Sequence, residues 1–184
     1  DNKPIMGGSF SSYNNITRNS IARANTDGSL DNSFAPAGTG LNNTVFALAL
    51  QSDGKIIAGG GFTSYNGISR SGIVRLNADG SLDGTFNPGT GVASQSVNAV
   101  AVQPDGKILI GGTFSTYNGT PIIRLARLNA NGLLDNTFNP GGGANGTVSA
   151  LALQPDGRLL VGGTFSMYNF SARNNLARVF AGSP

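Results

Sequence analysis

A run of fifteen residues returns three times with little change: LALQSDGKIIAGGGF (Leu48 to Phe62), VAVQPDGKILIGGTF (Val100 to Phe114) and LALQPDGRLLVGGTF (Leu151 to Phe165). A shortened form, IMGGSF (Ile5 to Phe10), stands near the start of the chain. Phe10, Phe62, Phe114 and Phe165 lie 52, 52 and 51 residues apart. Tyr13, Tyr65, Tyr117 and Tyr168 keep those intervals, and so do Arg23, Arg75, Arg127 and Arg178. Phe34, Phe86 and Phe138 mark another station, as do Gln51, Gln103 and Gln154. A period that never slips by more than one residue requires units that stack on one another equivalently. It constrains the architecture closely and names no ligand or reaction.

Each unit reads as four β-like pieces. The first, Val45 to Gln51 with counterparts at 97–103 and 148–154, alternates Val45, Ala47 and Ala49 with Phe46, Leu48 and Leu50. Both sets are apolar, so this strand is expected to be buried on both faces. Its Ala residues let a neighbouring sheet approach closely. An SDG or PDG turn follows, with Gly where positive φ is needed. The second piece (Lys55 to Ala58, Lys107 to Ile110, Arg158 to Val161) runs into a Gly pair, a mark of a bulge or of close backbone packing. A loop carrying Tyr-Asn comes next and fits a turn. The third piece, Gly72 to Asn77 with counterparts at 21–25, 125–129 and 176–179, leads into NADG or NANG, a strong hairpin marker. The fourth (Leu30 to Phe34, Leu82 to Phe86, Leu133 to Phe138) is short and gives way to Pro36, Pro88 or Pro140 and a Gly-rich link. No helical period of useful length occurs. The expected fold is all-β: tandem ~52-residue four-stranded blades, a β-propeller or partial propeller. An open β-solenoid of the same units is the alternative. The chain divides into one repeat domain, 1–184, with a partial repeat at 1–35 and repeats at 36–87, 88–139 and 140–184.

These residues resemble the bacterial delta-60 repeat family, whose pattern is close to LALQPDGKILVGGTF, a Tyr-Asn loop, then ARLNADGSLDTTFNPG. Gln103-Pro104-Asp105-Gly106-Lys107, Gly111-Gly112, Arg127-Leu128-Asn129 and Leu134-Asp135 match it in order, and the likeness runs through nearly the whole chain. The resemblance implies a propeller-like domain of large exported or surface bacterial proteins. It brings no agreed activity and no catalytic residues. About three and a half units do not close a seven-bladed ring. A four-bladed ring would need strands that the N-terminal half unit lacks. The expected partner is therefore the chain itself, or the remainder of a larger propeller, because open strand edges invite association. The chain opens on Asp1, partway through a repeat, as a mature, cleaved or trimmed product would.

Composition narrows the chemistry. Gly reaches 28 of 184 residues and charged residues only 11%, which favours a turn-rich β protein over helices. The formal net charge of +3 comes without any Lys/Arg run, so no nucleic-acid partner is expected. There is no Cys, which removes disulfides and thiolate chemistry, and no apolar run long enough to span a bilayer, so no membrane insertion is expected. The Asn/Ser/Thr/Gly-rich surface points to a secreted or cell-surface location. His, Cys and Glu are all absent, so the common general bases, nucleophiles and zinc ligands are missing. No enzyme activity and no cofactor are expected.

The repeated Arg (Arg23, Arg75, Arg127, Arg178) reads either as an anion site on each blade or as a packing residue. In the second case it is paired with Asp31, Asp83 or Asp135, or with backbone carbonyls of the next blade. Recurrence in every unit favours packing. A second Arg (Arg18, Arg70, Arg173) is replaced by Ile122 in the third unit, where Arg124 appears instead. Asp53, Asp105 and Asp156 and the NADG Asp residues read as turn formers. The run Asn77 to Asp83 faintly resembles a calcium loop but lacks the distal Glu. The best recognition candidates are Tyr13-Asn14, Tyr65-Asn66, Tyr117-Asn118 and Tyr168-Asn169, since an aromatic beside Asn and Ser/Thr suits contact with glycan or a cell-surface protein. The competing reading has Tyr plugged between blades with its OH on a backbone group. The residues after Tyr-Asn vary from unit to unit, so individual specificity is best sought there. Sequons at Asn15, Asn42, Asn118, Asn145 and Asn169 carry glycans only where the host glycosylates. The expected function is non-enzymatic binding or adhesion through blade loops. A structural building block that assembles through open blade edges is the alternative.

Overall fold

The computed structural model describes residues 2–35, 40–93 and 95–182. Among them there is no helix, and the strands fall into four repeating units. In the first, β1 (Ile5–Gly7) pairs with β4 (Ile21–Arg23), and between them β2 (Ser12–Tyr13) and β3 (Ile16–Thr17) form a small hairpin. The second holds β5 (Val45–Leu50), β6 (Ile56–Gly60), β7 (Ser64–Tyr65), β8 (Ile68–Ser69) and β9 (Ile73–Leu76). The third repeats this with β10 (Val97–Val102), β11 (Ile108–Gly112), β12 (Thr116–Tyr117), β13 (Thr120–Pro121) and β14 (Leu125–Leu128). The fourth has β15 (Val148–Leu153), β16 (Arg158–Gly163), β17 (Met167–Tyr168), β18 (Ser171–Ala172) and β19 (Leu176–Phe180). The main sheets are antiparallel in the orders β5-β6-β9, β10-β11-β14 and β15-β16-β19. This is the repeated blade of a β-propeller.

The SDG/PDG turns close the inner hairpins as their residues demand. Gly54, Gly106 and Gly157 take φ of 82°, 81° and 76°, and Gln51, Gln103 and Gln154 receive their backbone bonds across the turn. The Gly pair then produces a bulge. The register shifts between Val45 and Ala47, Val97 and Ala99, and Val148 and Ala150. That shift corrects the simple alternation expected for the first strand. Val45 and Leu48 now share one side and pack on the preceding unit, while Ala49 packs on the next. Phe46 and Leu50 are left 54% and 68% exposed, so the strand is not buried on both faces along its length.

The fourth piece of each unit is one bridge pair long: Ala24 with Leu30, Leu76 with Leu82, Leu128 with Leu134. It stops there because the next residue turns the chain. The Asp83 carboxylate accepts from the backbone N–H and the hydroxyl of Thr85, and Asp31 and Asp135 do the same with Ser33 and Thr137. Such a local side-chain turn competes with ladder formation. Pro88 and Pro140 follow this turn, whereas Pro36 lies outside the described residues.

The hydrophobic core sits between units rather than within them. Ile57 and Ile73 of the second unit pack with Val97, Ile108, Ile110 and Phe114 of the third. Leu109 and Leu125 pack in the same way with Val148, Leu159, Val161 and Phe165 of the fourth. Each fully buried Ile or Leu contributes about 2 kcal/mol. The inner strands β5, β10 and β15 lie side by side. The sheets thus stack face to face, and no strand of the last unit pairs with the first among the described residues.

Candidate functional site

In the first three units the repeated Arg is a staple between units, combining both partners that the packing interpretation names, whereas Arg178 of the fourth is exposed. Arg75 Nε donates to Asp83 Oδ2 at 2.7 Å, its Nη2 to Thr85 Oγ1 at 3.0 Å, and its Nη1 to the Ala130 carbonyl of the next unit. Arg23 reaches Asp31 and the Ala78 carbonyl, and Arg127 reaches Asp135 and the Ala181 carbonyl. Each guanidinium also lies over a ring of its own unit, 4.8 Å from Phe34, 5.0 Å from Phe86 and 5.0 Å from Phe138. Sequence reasoning missed one member of the staple. Lys3, Lys55 and Lys107 each share the same carboxylate, at 3.0, 3.1 and 3.0 Å. The signal was present, since these Lys residues recur 52 residues apart.

The Asp carboxyls stay ionised for that reason. Hydrogen bonds from the Ser33 hydroxyl and from Lys3 lead in holding Asp31 well below the usual carboxylate range, against the opposing effect of burial. For Asp83 and Asp135 burial is the largest single influence and opposes ionisation. The bonds from Thr85 with Lys55 and Arg75, and from Thr137 with Lys107 and Arg127, together outweigh it.

The Tyr-Asn pairs stand one per unit, in four separate hairpins, and do not converge on one pocket. Tyr65 and Tyr117 are fully buried and donate to the carbonyls of Gly80 and Gly132 in the NADG/NANG turns of their own units. Tyr168 is buried and donates to the Pro140 carbonyl, while Tyr13, half-buried, donates to Gly28. Burial pushes the Tyr65 hydroxyl up to about 12, and it raises Tyr117 and Tyr168 as well. Asn14, Asn66, Asn118 and Asn169 all sit at positive φ, 47–49°, as the first tip residue of a tight hairpin. Asn66, Asn118 and Asn169 accept from backbone N–H groups of the Gly-rich links at Gly40, Thr90 and Gly142, and Asn14 donates to the Gly28 carbonyl. The Tyr rings therefore fasten the hairpins down, and the tips beyond them meet solvent.

The remaining candidates are absorbed locally. Asp53, Asp105 and Asp156 accept from the backbone of Lys55, Lys107 and Arg158, and Asp27 and Asp79 from Ser29 and Ser81. Arg18, Arg70 and Arg173 donate to the carbonyls just before them, and Arg124 to Ala144. What the repeat leaves outside is the second tip residue and the short strand after it. There stand Asn15, Gly67, Gly119 and Phe170, then exposed Ile16, Ile68, Thr120 and Ser171. Phe170 is 83% exposed and held at φ 61°.

Comparison with curated proteins finds no match. Among solved structures, the chain is similar to the extracellular domain of a B. thetaiotaomicron protein described as a one component system (BT4673). That similarity has a TM-score of 0.47 at 20% identity, covering 77% of this chain and 17% of that one. No helix among the described residues is long and apolar enough to cross a membrane. A propeller family model matches residues 1–34, 51–86, 103–138 and 154–182, one stretch in each of the four units. By that match over well more than half of its length, the chain belongs to the family described as Domain of unknown function (DUF5122) beta-propeller.

Proposed function

We propose that this protein is a non-enzymatic extracellular binding module that contacts glycan or a cell-surface protein through the hairpin tips of its blades. Arg23, Arg75 and Arg127 and the Tyr rings are held by contacts within and between units, which leaves the tips as the part free to vary. Phe170 carries the reading. It occupies a tip station where the other units hold Asn15, Gly67 and Gly119, and it is 83% exposed at φ 61°. A left-handed conformation costs a bulky residue about 1 kcal/mol or more, and an exposed ring recovers little of that from the core. Strain kept at an exposed aromatic is what a contact residue would show. Asn169 and Ser171 flank it with amide and hydroxyl groups suited to a polar ligand. The delta-60 resemblance, with its exported and surface proteins, fits the same reading. The test is a glycan array and a panel of surface proteins probed with the native chain and with Phe170→Gly. The variant should be more stable by about 1 kcal/mol and bind at least ~10-fold more weakly. A native chain silent on both arms, or a variant that binds equally well, would overturn the proposal.

A further inference from the structure

The hairpin tip of the fourth unit differs from those before it, and the difference reaches into the link that the hairpin rests on. The carbonyls of Gly40, Gly91 and Gly143 accept from the N–H groups of Asn66, Asn118 and Asn169. Aligned on those glycines, Thr39, Thr90 and Gly142 hold one station of the links. The second tip residues of the same units are Gly67, Gly119 and Phe170. The second and third units thus carry a side chain in the link and glycine at the tip, and the fourth unit reverses both. Backbone conformation does not require the glycine at 142. Gly141 and Gly143 take φ of 71° and 70°, but Gly142 has no positive φ. The ring requires it: a Cβ on Gly142 would stand 2.5 Å from Phe170 Cε2 and 2.7 Å from Cζ.

Phe170 is therefore held along the Cδ2–Cε2–Cζ edge of its ring, against the backbone of the link, and is still 83% exposed. Openness belongs to this station in every unit, since Asn15, Gly67 and Gly119 are exposed in units that another unit follows. The Asn169 side chain lies over the neighbouring Gly141, where a Cβ would stand 2.5 Å from Oδ1 and 3.0 Å from Nδ2. Its Oδ1 accepts from Gly142 N–H at 2.9 Å, which fixes the amide. Its Nδ2 donates to no other described residue. Ring and amide thus sit side by side on one strip of glycine backbone, both already in place before anything binds. Neither the tip, 166–172, nor the link, 139–145, contains a charged side chain.

We propose that Phe170, braced on Gly142 and flanked by the Asn169 amide, is a stacking platform for a neutral pyranoside. This rests on the reading that the tips bind, and narrows it to carbohydrate. A pyranoside whose ring C–H bonds are axial has an apolar face and a rim of hydroxyls. That face covers the open ring, and a rim hydroxyl oxygen accepts from Asn169 Nδ2. An acidic sugar gains nothing from a tip without charge. A protein partner fits less well. A stable protein interface covers about 800 Å² on each side and seats its aromatic anchors in pockets, whereas this ring is fastened to its own backbone. Fixing the ring beforehand lowers the ordering cost of binding.

NMR titration of the native chain with methyl β-glucoside and methyl β-galactoside tests it, with sorbitol as an open-chain polyol. One glycoside or both, in the millimolar range, should shift the Phe170 ring and Asn169 side-chain amide signals, and sorbitol should not. Phe170→Leu, apolar but without a ring face, should abolish the shifts. Gly142→Thr restores the residue of the preceding links and keeps Phe170. It should weaken binding at least ~10-fold with an unchanged melting temperature, because the ring is displaced. Silence with both glycosides, equal shifts with sorbitol, or native binding by either variant would overturn the platform. If the glycosides are silent while a surface protein still binds through Phe170, the platform falls and the tip reading stands. If nothing binds, both fall.

Discussion

At the scale of single residues, the repeated Arg, Asp and Tyr place charge and hydroxyl groups in an apolar interior without leaving them unsatisfied. Asp83 receives Arg75, Lys55 and Thr85 together, which is why burial does not neutralise it. The pH dependence follows. The carboxyls of Asp31, Asp83 and Asp135 are shifted below their ordinary range, so the stability they confer is fully present above about pH 4. It should be lost as pH falls below the ordinary value toward the lowered one. Urea midpoints should hold steady from neutral pH to about pH 4 and then drop, and Asp83→Asn should weaken the protein at neutral pH while flattening that acid slope. An unchanged acid slope in the variant would speak against the paired carboxylate. The Arg–Asp pairing was legible in the sequence from shared periodicity. The third partner, Lys55, was hidden because a Lys after a turn also suits a solvated strand end.

At the scale of the element, glycine decides how closely blades approach. The first Gly of each pair, Gly59 or Gly111, faces a Val of the next inner strand, while a Cβ on Gly162 would make only ordinary contacts within its own unit, the nearest with Ala150 at 3.7 Å. Gly111→Ala should therefore cost about 1–3 kcal/mol through overpacking, and Gly162→Ala should stay within about 0.5 kcal/mol, as read by thermal unfolding of the single-chain form. Equal effects would mean that the two faces are not distinct. Strand order, turn positions and the Gly-pair bulge could be read from residue types alone. The outcome at Phe46 could not, because a one-residue bulge changes which side chains share a face and leaves alternation intact in the sequence. The brevity of the fourth strand was equally concealed. Leu82 to Phe86 carries apolar ends, but the Asp83–Thr85 turn ends the ladder after Leu82.

At the scale of the whole molecule, the cores straddle unit boundaries, so no unit buries its own apolar face and stability rests on neighbours. This division explains why the candidate site was only half legible. Tyr-Asn periodicity pointed to the hairpins whose tips are proposed to bind, but periodicity is itself the signature of packing, and the Tyr rings are anchors. The departure from the repeat, Phe170, was the more informative signal. The measurement that most directly tests the central claim, that repeated residues bind unit to unit, is urea unfolding of Arg127→Ala beside Arg178→Ala in dilute, single-chain protein. The two residues hold the same station, and only Arg127 donates to a following segment and a buried carboxylate. The account predicts a loss of about 3–5 kcal/mol for Arg127→Ala and at most about 0.5 kcal/mol for Arg178→Ala. Equal losses at the two positions would contradict it.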